Sequence, residues 1–390
     1  MAVEDKEKNS DIIEDFDEED TNGAVSSDYE AFSASSPVKK VSAYGLSASA
    51  KKVTKVYKSL FNGPEKKPEQ IVYFGAPGTG KSFEIDKKLN KMKIRSQYIK
   101  RVIFHPDYSY GDFVGSIRPH KDEKSIDYRF EPGPLTLALR CAFENPQKKI
   151  YIIIEEINRG NAAAIFGDLF QLLDRDESGR SKYKISNTDI ASEICKDDYL
   201  KPFFKDGKIW FPNNLNFLCT MNTADQNVFI LDSAFNRRFH MKYVKIDFEK
   251  MYADKKLVDY IAETTAFKGN KNLMDIFKDT DLEEYAKDLN NNNRLKRNWP
   301  TFASLVNKLI DIINKNEGEK ISEDKKLGTF YVLLDEISDK EMFADKVLYY
   351  LKQDVFKYID NYFTESYQTM YDSYINGNTD IFELLLPGDN

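Results

Sequence analysis

Eight consecutive residues, Gly75-Ala76-Pro77-Gly78-Thr79-Gly80-Lys81-Ser82, have the types and spacing to hold a triphosphate. They complete a GxxxxGK[ST] pattern. Glycines at 75, 78 and 80 let successive backbone N–H groups turn inward around phosphate oxygens. A helix beginning near Lys81 adds the positive end of its dipole. The Lys81 ammonium reaches the β- and γ-phosphates, and the Ser82 hydroxyl is placed to ligate Mg²⁺. The flanks fit as well: the apolar run Ile71-Val72-Tyr73-Phe74 precedes the loop and the helix-like stretch 83–89 follows it. An ordinary glycine-rich turn requires neither flank, so the stretch implies nucleoside triphosphate binding.

Two further strand ends carry polar groups suited to hydrolysis. Ile150-Tyr151-Ile152-Ile153-Ile154 is apolar throughout, as a strand covered on both faces should be. It ends in Glu155-Glu156. In phosphate-loop enzymes the first carboxylate of such a pair helps hold Mg²⁺, usually through water, and the second orients and deprotonates the attacking water. The usual first residue is Asp, and Glu155 carries its carboxylate one methylene further out. The run 216–221 ends in Asn222-Thr223-Ala224-Asp225, where Asn222 is a candidate to fix the water beside the γ-phosphate. The stretch 232–239 reads as a helix bearing Arg237-Arg238. Paired arginines there are placed to reach a neighbouring subunit's nucleotide, where a planar guanidinium neutralises transition-state charge. A surface pair engaged in salt bridges is the alternative.

The elements that must position these groups follow from patterning. The 390 residues suffice for two or three domains. Residues 1–48 form an acidic, Ser-rich tail with too little apolar surface to fold alone. In 49–63, Val53, Val56, Tyr57 and Leu60 fall on one stripe of a basic amphipathic helix. The nucleotide-binding domain spans 64–248. Within it Arg101-Val102-Ile103-Phe104 reads as a strand, 118–129 as a hairpin, 134–143 as a helix, and 161–173 as a helix facing inward through Ile165, Leu169, Leu172 and Leu173. The stretch 177–212 reads as a β-excursion. Residues 249–390 read as helices at 258–266, 281–289, 302–315 and 341–363.

Composition restricts the setting. A net charge of −7 gives no overall basic field to draw the molecule onto nucleic acid. Three scattered cysteines have neither metal-ligand spacing nor a disulfide framework, which suits a reducing compartment. No signal-peptide layout appears, and no apolar run approaches the roughly 18 residues that span a bilayer. The expectation is a cytoplasmic protein without membrane contact.

Several motifs together carry a family resemblance. Glu155-Glu156-Ile157-Asn158-Arg159-Gly160-Asn161 and Met221-Asn222-Thr223-Ala224-Asp225 resemble the Walker B and signature motifs of McrB-type AAA+ GTPases. Residues 104–113 and Ala234-Phe235-Asn236-Arg237-Arg238-Phe239 fit the same family. The resemblance is strong over about 70–250 and weak elsewhere. It implies an α/β fold of the AAA+ P-loop NTPase type, a parallel sheet flanked by helices and followed by a helical lid. It implies a motor subunit of an McrBC-like restriction or phage-defence system, hydrolysing GTP (or ATP) with Mg²⁺. The expected assembly is a homo-oligomeric, hexameric ring docked by an McrC-like nuclease subunit and meeting DNA through the complex. Asp225 joins the nucleotide-binding residues, and Arg159 with Arg237-Arg238 falls at the subunit boundary. Lys325-Lys326-Leu327-Gly328 resembles the place where a lid residue approaches the phosphates. Two departures stand out: Glu155 where the family has Asp, and Gln226 where its signature ends in Arg. Little chain precedes the phosphate loop, where the family's target-reading domain usually lies, and no nuclease carboxylate cluster is visible. The competing readings are a MoxR-like remodeller of a protein partner and a regulatory nucleotide-binding module with little turnover.

Overall fold

The apolar runs become strands because their side chains are covered on both faces. In chain order they are β1 (Gln70–Gly75), β2 (Ile99–Ile103), β3 (Gly115–Lys121), β4 (Ile126–Pro132), β5 (Ile150–Glu155), β6 (Ile185–Ser186), β7 (Lys208–Ile209), β8 (Leu215–Asn222) and β9 (His240–Tyr243). Five of them form one sheet in the order β2-β5-β8-β1-β9, and every neighbouring pair is parallel. The pairs β3–β4 and β6–β7 are antiparallel and lie outside it, the second joined through a helix at Thr188–Ile194. This computed structural model describes residues 67–121, 126–223, 228–249, 251, 265–316 and 321–388. The expected tail (1–48), the basic helix (49–63), most of the 258–266 helix, Asp225 and Gln226 lie outside the described residues.

Parallel strands need crossover helices, and these supply the two covering layers. Helix α1 (Lys81–Lys91) lays Ile85 and Leu89 against Tyr73, Tyr151, Ile153 and Leu218. The opposite face is aromatic. Phe217 of β8 meets Phe166 and Phe211, with ring centroids 6.0 and 5.5 Å away. Helix α2 (Pro134–Glu144) starts on a proline at its first position, where no N–H is needed, and buries Leu135, Ala138, Leu139 and Ala142. Each large apolar side chain so buried contributes about 1.5–3 kcal/mol relative to exposure.

Two expected elements are reshaped. The inward-facing helix over 161–173 is a short helix, α3 (Ala162–Phe166), followed by tighter 3₁₀ turns over Gly167–Leu173. Gly167 takes φ 54°, which interrupts the α-helical run. After it comes α4 (Ser233–Arg238), capped by the Asp232 carboxylate accepting from Phe235 N at 2.9 Å. It leads directly into β9, where Met241 and Tyr243 alternate with His240 and Lys242.

The remainder is helical: α5 (Glu283–Asn291), α6 (Trp299–Asn316) and α7 (Tyr367–Ile375) frame a separate core. On α6 the buried stripe is Phe302, Leu305, Val306, Leu309, Ile310 and Ile313, as the periodicity requires. The long helix expected over 341–363 is broken. Short α- and π-helical turns end at Val355, and the chain doubles back through Asn361 and Phe363 at φ 68° and 54°. Phe363 thereby stacks on Phe356 with centroids 4.9 Å apart, an aromatic pairing that imitates helical spacing in the sequence. Among the described residues no helix is long and apolar enough to cross a membrane.

Candidate nucleotide site

Parallel strands deliver their C-terminal ends to one edge of a sheet, and the polar groups gather there. The register sets Gly75 opposite Asn222 and Ile103 opposite Glu155. The loop from Gly75 to Gly80 leaves that edge and enters α1. Gly78 and Gly80 take φ 73° and 85°, which a side chain rarely adopts. Lys81 is buried and donates to the carbonyls of Gly75 (2.9 Å) and Ala76 (3.0 Å), so its ammonium sits across the mouth of the loop. The Thr79 hydroxyl donates to Ala76 O at 3.0 Å and closes the turn. Pro77 carries no N–H and directs only its carbonyl outward. The loop therefore has the glycine-lined cradle, a lysine and a helix N-terminus that a polyphosphate requires.

Glu155 and Glu156 are held in different ways. The Ser82 hydroxyl donates to Glu155 Oε2 at 2.9 Å, so the extra methylene leaves that carboxylate in reach of the phosphate-loop hydroxyl. The buried Thr220 hydroxyl donates to the same oxygen at 2.5 Å and accepts from Glu156 N at 3.1 Å. One threonine on β8 thus positions both acidic residues. Arg101 of β2 holds Glu155 Oε1 at 2.7 Å and also pairs with Asp86 on α1. Two hard oxygen donors, Ser82 Oγ and the Glu155 carboxylate, lie side by side beside the loop, a donor set that suits Mg²⁺ completed by water and phosphate.

Glu156 has φ 55°, a conformation uncommon outside glycine, and its backbone is fixed by the Thr220 bond and by Ile157 N donating to Thr220 O at 3.0 Å. Asn222 Nδ2 donates to Glu156 Oε1 at 2.6 Å, and Arg159 Nε lies 3.4 Å from Oε2. Asn158 braces this corner by donating to Asn222 O at 2.7 Å. The structure thus brings together Glu156, Asn222 and Arg159 in one subunit. Cys219, next in β8, is no nucleophile: burial, then the Glu155 charge, pushes its thiol well above the ordinary range.

The arginine pair divides. Both residues end α4 just before β9, and His240 of β9 pairs with Ile71 near the start of β1. They therefore lie at the edge of the sheet opposite the phosphate loop, separated by most of β1, roughly 16 Å at about 3.3 Å per residue. Neither approaches the loop of its own subunit. Arg238 makes contacts within its own subunit. Its guanidinium pairs with Asp174 Oδ2 at 2.6 Å and lies 4.4 Å over the Phe170 ring, with a side chain only 9% exposed. Arg237 is 67% exposed, with Asp174 at 3.7 Å. Arg238→Ala should accordingly lower the stability of the isolated subunit by about 1–2 kcal/mol, less than for a fully buried pair because Asp174 is a quarter exposed. Chemical denaturation curves check this, and an unchanged midpoint would leave the Asp174 pair without net effect.

Within Lys325-Lys326-Leu327-Gly328 the two lysines pair away from the loop. Lys325 Nζ lies 3.4 Å from Asp354, and Lys326 Nζ lies 2.6 Å from both Asp311 and Glu323, all within the helical region. Backbone from Gly328 onward reaches the loop in their place. Sequence reasoning missed Arg101, Thr220 and Asn158. A charged residue in β2 and a hydroxyl in the apolar β8 were the available signals.

Residues 70–239 match the family model described as AAA domain (dynein-related subfamily). The chain is 34% identical over 343 residues to the type II restriction enzyme BsuMI component YdiS of Bacillus subtilis (strain 168), covering 81% of this chain and 88% of that protein. It is 30% identical over 174 residues to the type IV methyl-directed restriction enzyme EcoKMcrB subunit of Escherichia coli (strain K12), covering 44% of this chain and 34% of that one. The shared portion is thus about a third of the latter protein and most of the former. The parallel sheet, the phosphate loop and these relatives place the chain in a known family: it belongs to the McrB-type AAA+ proteins, with the fold of an AAA+ P-loop NTPase.

Proposed function

We propose that the chain is the nucleotide-hydrolysing motor subunit of a restriction system, working on GTP within a homo-oligomeric ring and driving a separate nuclease subunit on DNA. The observation that carries the hydrolytic part is the Glu156 carboxylate fixed by Asn222 at 2.6 Å beside a phosphate loop whose Ser82 touches Glu155 at 2.9 Å. The system is suggested by relatives named as restriction components.

In this reading the loop amides and Lys81 bind the β- and γ-phosphates. Ser82 and Glu155 would hold Mg²⁺, which when bound neutralises phosphate charge. Glu156 takes the proton of the attacking water, and Asn222 with Arg159 orients its carboxylate. Arg237, exposed at the far edge of the sheet, is assigned to a neighbouring subunit's γ-phosphate in a head-to-tail ring. Cytoplasmic location, a hexamer and an McrC-like nuclease partner belong to the same proposal.

The choice of GTP rests on the resemblance of Met221-Asn222-Thr223-Ala224-Asp225 to the family signature. Competition of unlabelled GTP and ATP against a fluorescent GTP analogue should show tighter GTP binding. Equal or tighter binding of ATP would remove guanine from the proposal while leaving hydrolysis intact.

A further inference from the structure

The outer side of the phosphate loop is covered by a strap of backbone from the helical region. Gly328 N donates to Pro77 O at 3.1 Å, and Phe330 N donates to Gly78 O at 2.7 Å. The approach is close enough to exclude side chains. A Cβ on Gly328 would lie 2.3 Å from Pro77 O and from Gly78 C, and one on Gly78 would lie 2.4 Å from the Tyr331 backbone. Two glycines distant in sequence are thus required by one contact.

The strap is anchored from behind. The Asn307 side chain on α6 accepts from Leu327 N at 2.7 Å and donates to Leu327 O at 2.9 Å, so it grips one residue at both ends. Trp299 Nε1 donates to Thr329 O at 3.0 Å. From the sheet side, Asp247 N donates to the Thr329 hydroxyl at 3.2 Å. The Phe330 ring closes over Gly80, 3.3 Å from where its Cβ would stand.

Peptide planarity gives this contact a consequence. Every peptide bond described is trans, so the C=O of one residue and the N–H of the next point in opposite directions. With the carbonyls of Pro77 and Gly78 drawn outward to the strap, the N–H groups of Gly78 and Thr79 are turned to the inner side. A phosphate cradle needs its amides in that orientation. We propose that the Gly328–Phe330 segment is a positioning element for phosphate binding: it touches no phosphate but holds two loop peptide planes in the binding orientation, so displacement of the helical region loosens bound nucleotide. The proposal rests on the triphosphate reading of the loop.

The test uses the full chain and a non-hydrolysable fluorescent GTP analogue. Gly328→Ala should weaken equilibrium binding about ten- to a hundredfold, as expected for disturbing one or two backbone hydrogen bonds, and should speed analogue dissociation. Its melting temperature without nucleotide should fall by a few degrees, since the added Cβ displaces the strap from the loop. In turnover the loss should appear as a raised KM with kcat largely kept, the pattern of lost uniform binding. A folded Gly328→Ala variant with wild-type affinity and dissociation rate overturns the proposal. If that variant does not fold, hydrogen exchange of the wild type decides. Amides of Gly328 and Phe330 protected without nucleotide, and more so with the analogue, support the strap; exchange at free-peptide rates overturns it. A wild-type chain that binds neither the GTP analogue nor an ATP analogue overturns the triphosphate reading itself, and the strap's role with it.

Discussion

Glu156→Gln should leave nucleotide affinity within a few-fold of wild type and slow turnover by about 10²–10⁴-fold, the usual contribution of a positioned general base. The amide keeps the shape of the side chain and can still pair with Asn222, which lies 2.6 Å from Oε1, so the corner of the site should not collapse. It removes only the capacity to accept a proton. Acid-quenched single-turnover measurement of the phosphate formed isolates this step from product release. Lys81→Ala provides the contrast: it deletes the ammonium that bridges the carbonyls of Gly75 and Ala76, and should weaken binding itself. Normal turnover by Glu156→Gln would mean that the water is activated elsewhere.

Arg237→Ala should reduce turnover about 10³-fold or more, the range of an arginine finger, while each subunit still folds and binds nucleotide. The reason is positional. Arg237 lies at the sheet edge opposite its own phosphate loop and is 67% exposed, whereas Arg238 beside it is engaged with Asp174 and Phe170. A charge so placed acts on nucleotide only across a subunit boundary. Mixing Arg237→Ala with Lys81→Ala gives the sharper measurement. Some interfaces in mixed rings join an intact nucleotide site, from the Arg237→Ala subunit, to an intact Arg237, from the Lys81→Ala subunit. Activity should return in the mixture, and oligomer size should rise with a non-hydrolysable GTP analogue. A mixture as inactive as its components, with only monomer at every nucleotide condition, would leave Arg237 a surface residue.

Legibility from sequence followed how local the physics is. The phosphate loop, α1 and the strands β1, β5 and β8 were readable because each is set by a contiguous pattern: glycine spacing, an apolar run, a polar stop. The stripe on α6 was readable for the same reason. β9 carries a short alternation, with Met241 and Tyr243 between His240 and Lys242, but its place beside β1 is visible only from the register. The roles of Thr220 and Arg101 appear only once β2, β5 and β8 lie side by side. A basic dipeptide at a helix end likewise does not reveal that Arg238 faces Asp174, 64 residues earlier, within its own subunit. The stretch Lys325-Lys326-Leu327-Gly328 is legible as the lid's approach to the phosphate loop, but not that the backbone of Gly328, rather than a lysine, makes it.

The strand order also bears on how the chain matures. β1 emerges first among the sheet strands, yet both of its neighbours come from far downstream. The bond from Glu69 N to Asn216 spans 147 residues and that from Gln70 to Arg238 spans 168. At about 5–20 residues per second of synthesis, on the order of ten to thirty seconds separate β1 from its second neighbour. During that interval Ile71-Val72-Tyr73-Phe74 is an apolar strand with two unpaired edges, the kind of segment that invites intermolecular pairing. The phosphate loop, which hangs from the end of β1, has no fixed footing until β9 has docked. Competence to hold nucleotide therefore arises late, and a nucleotide-loaded subunit is one whose sheet has been completed.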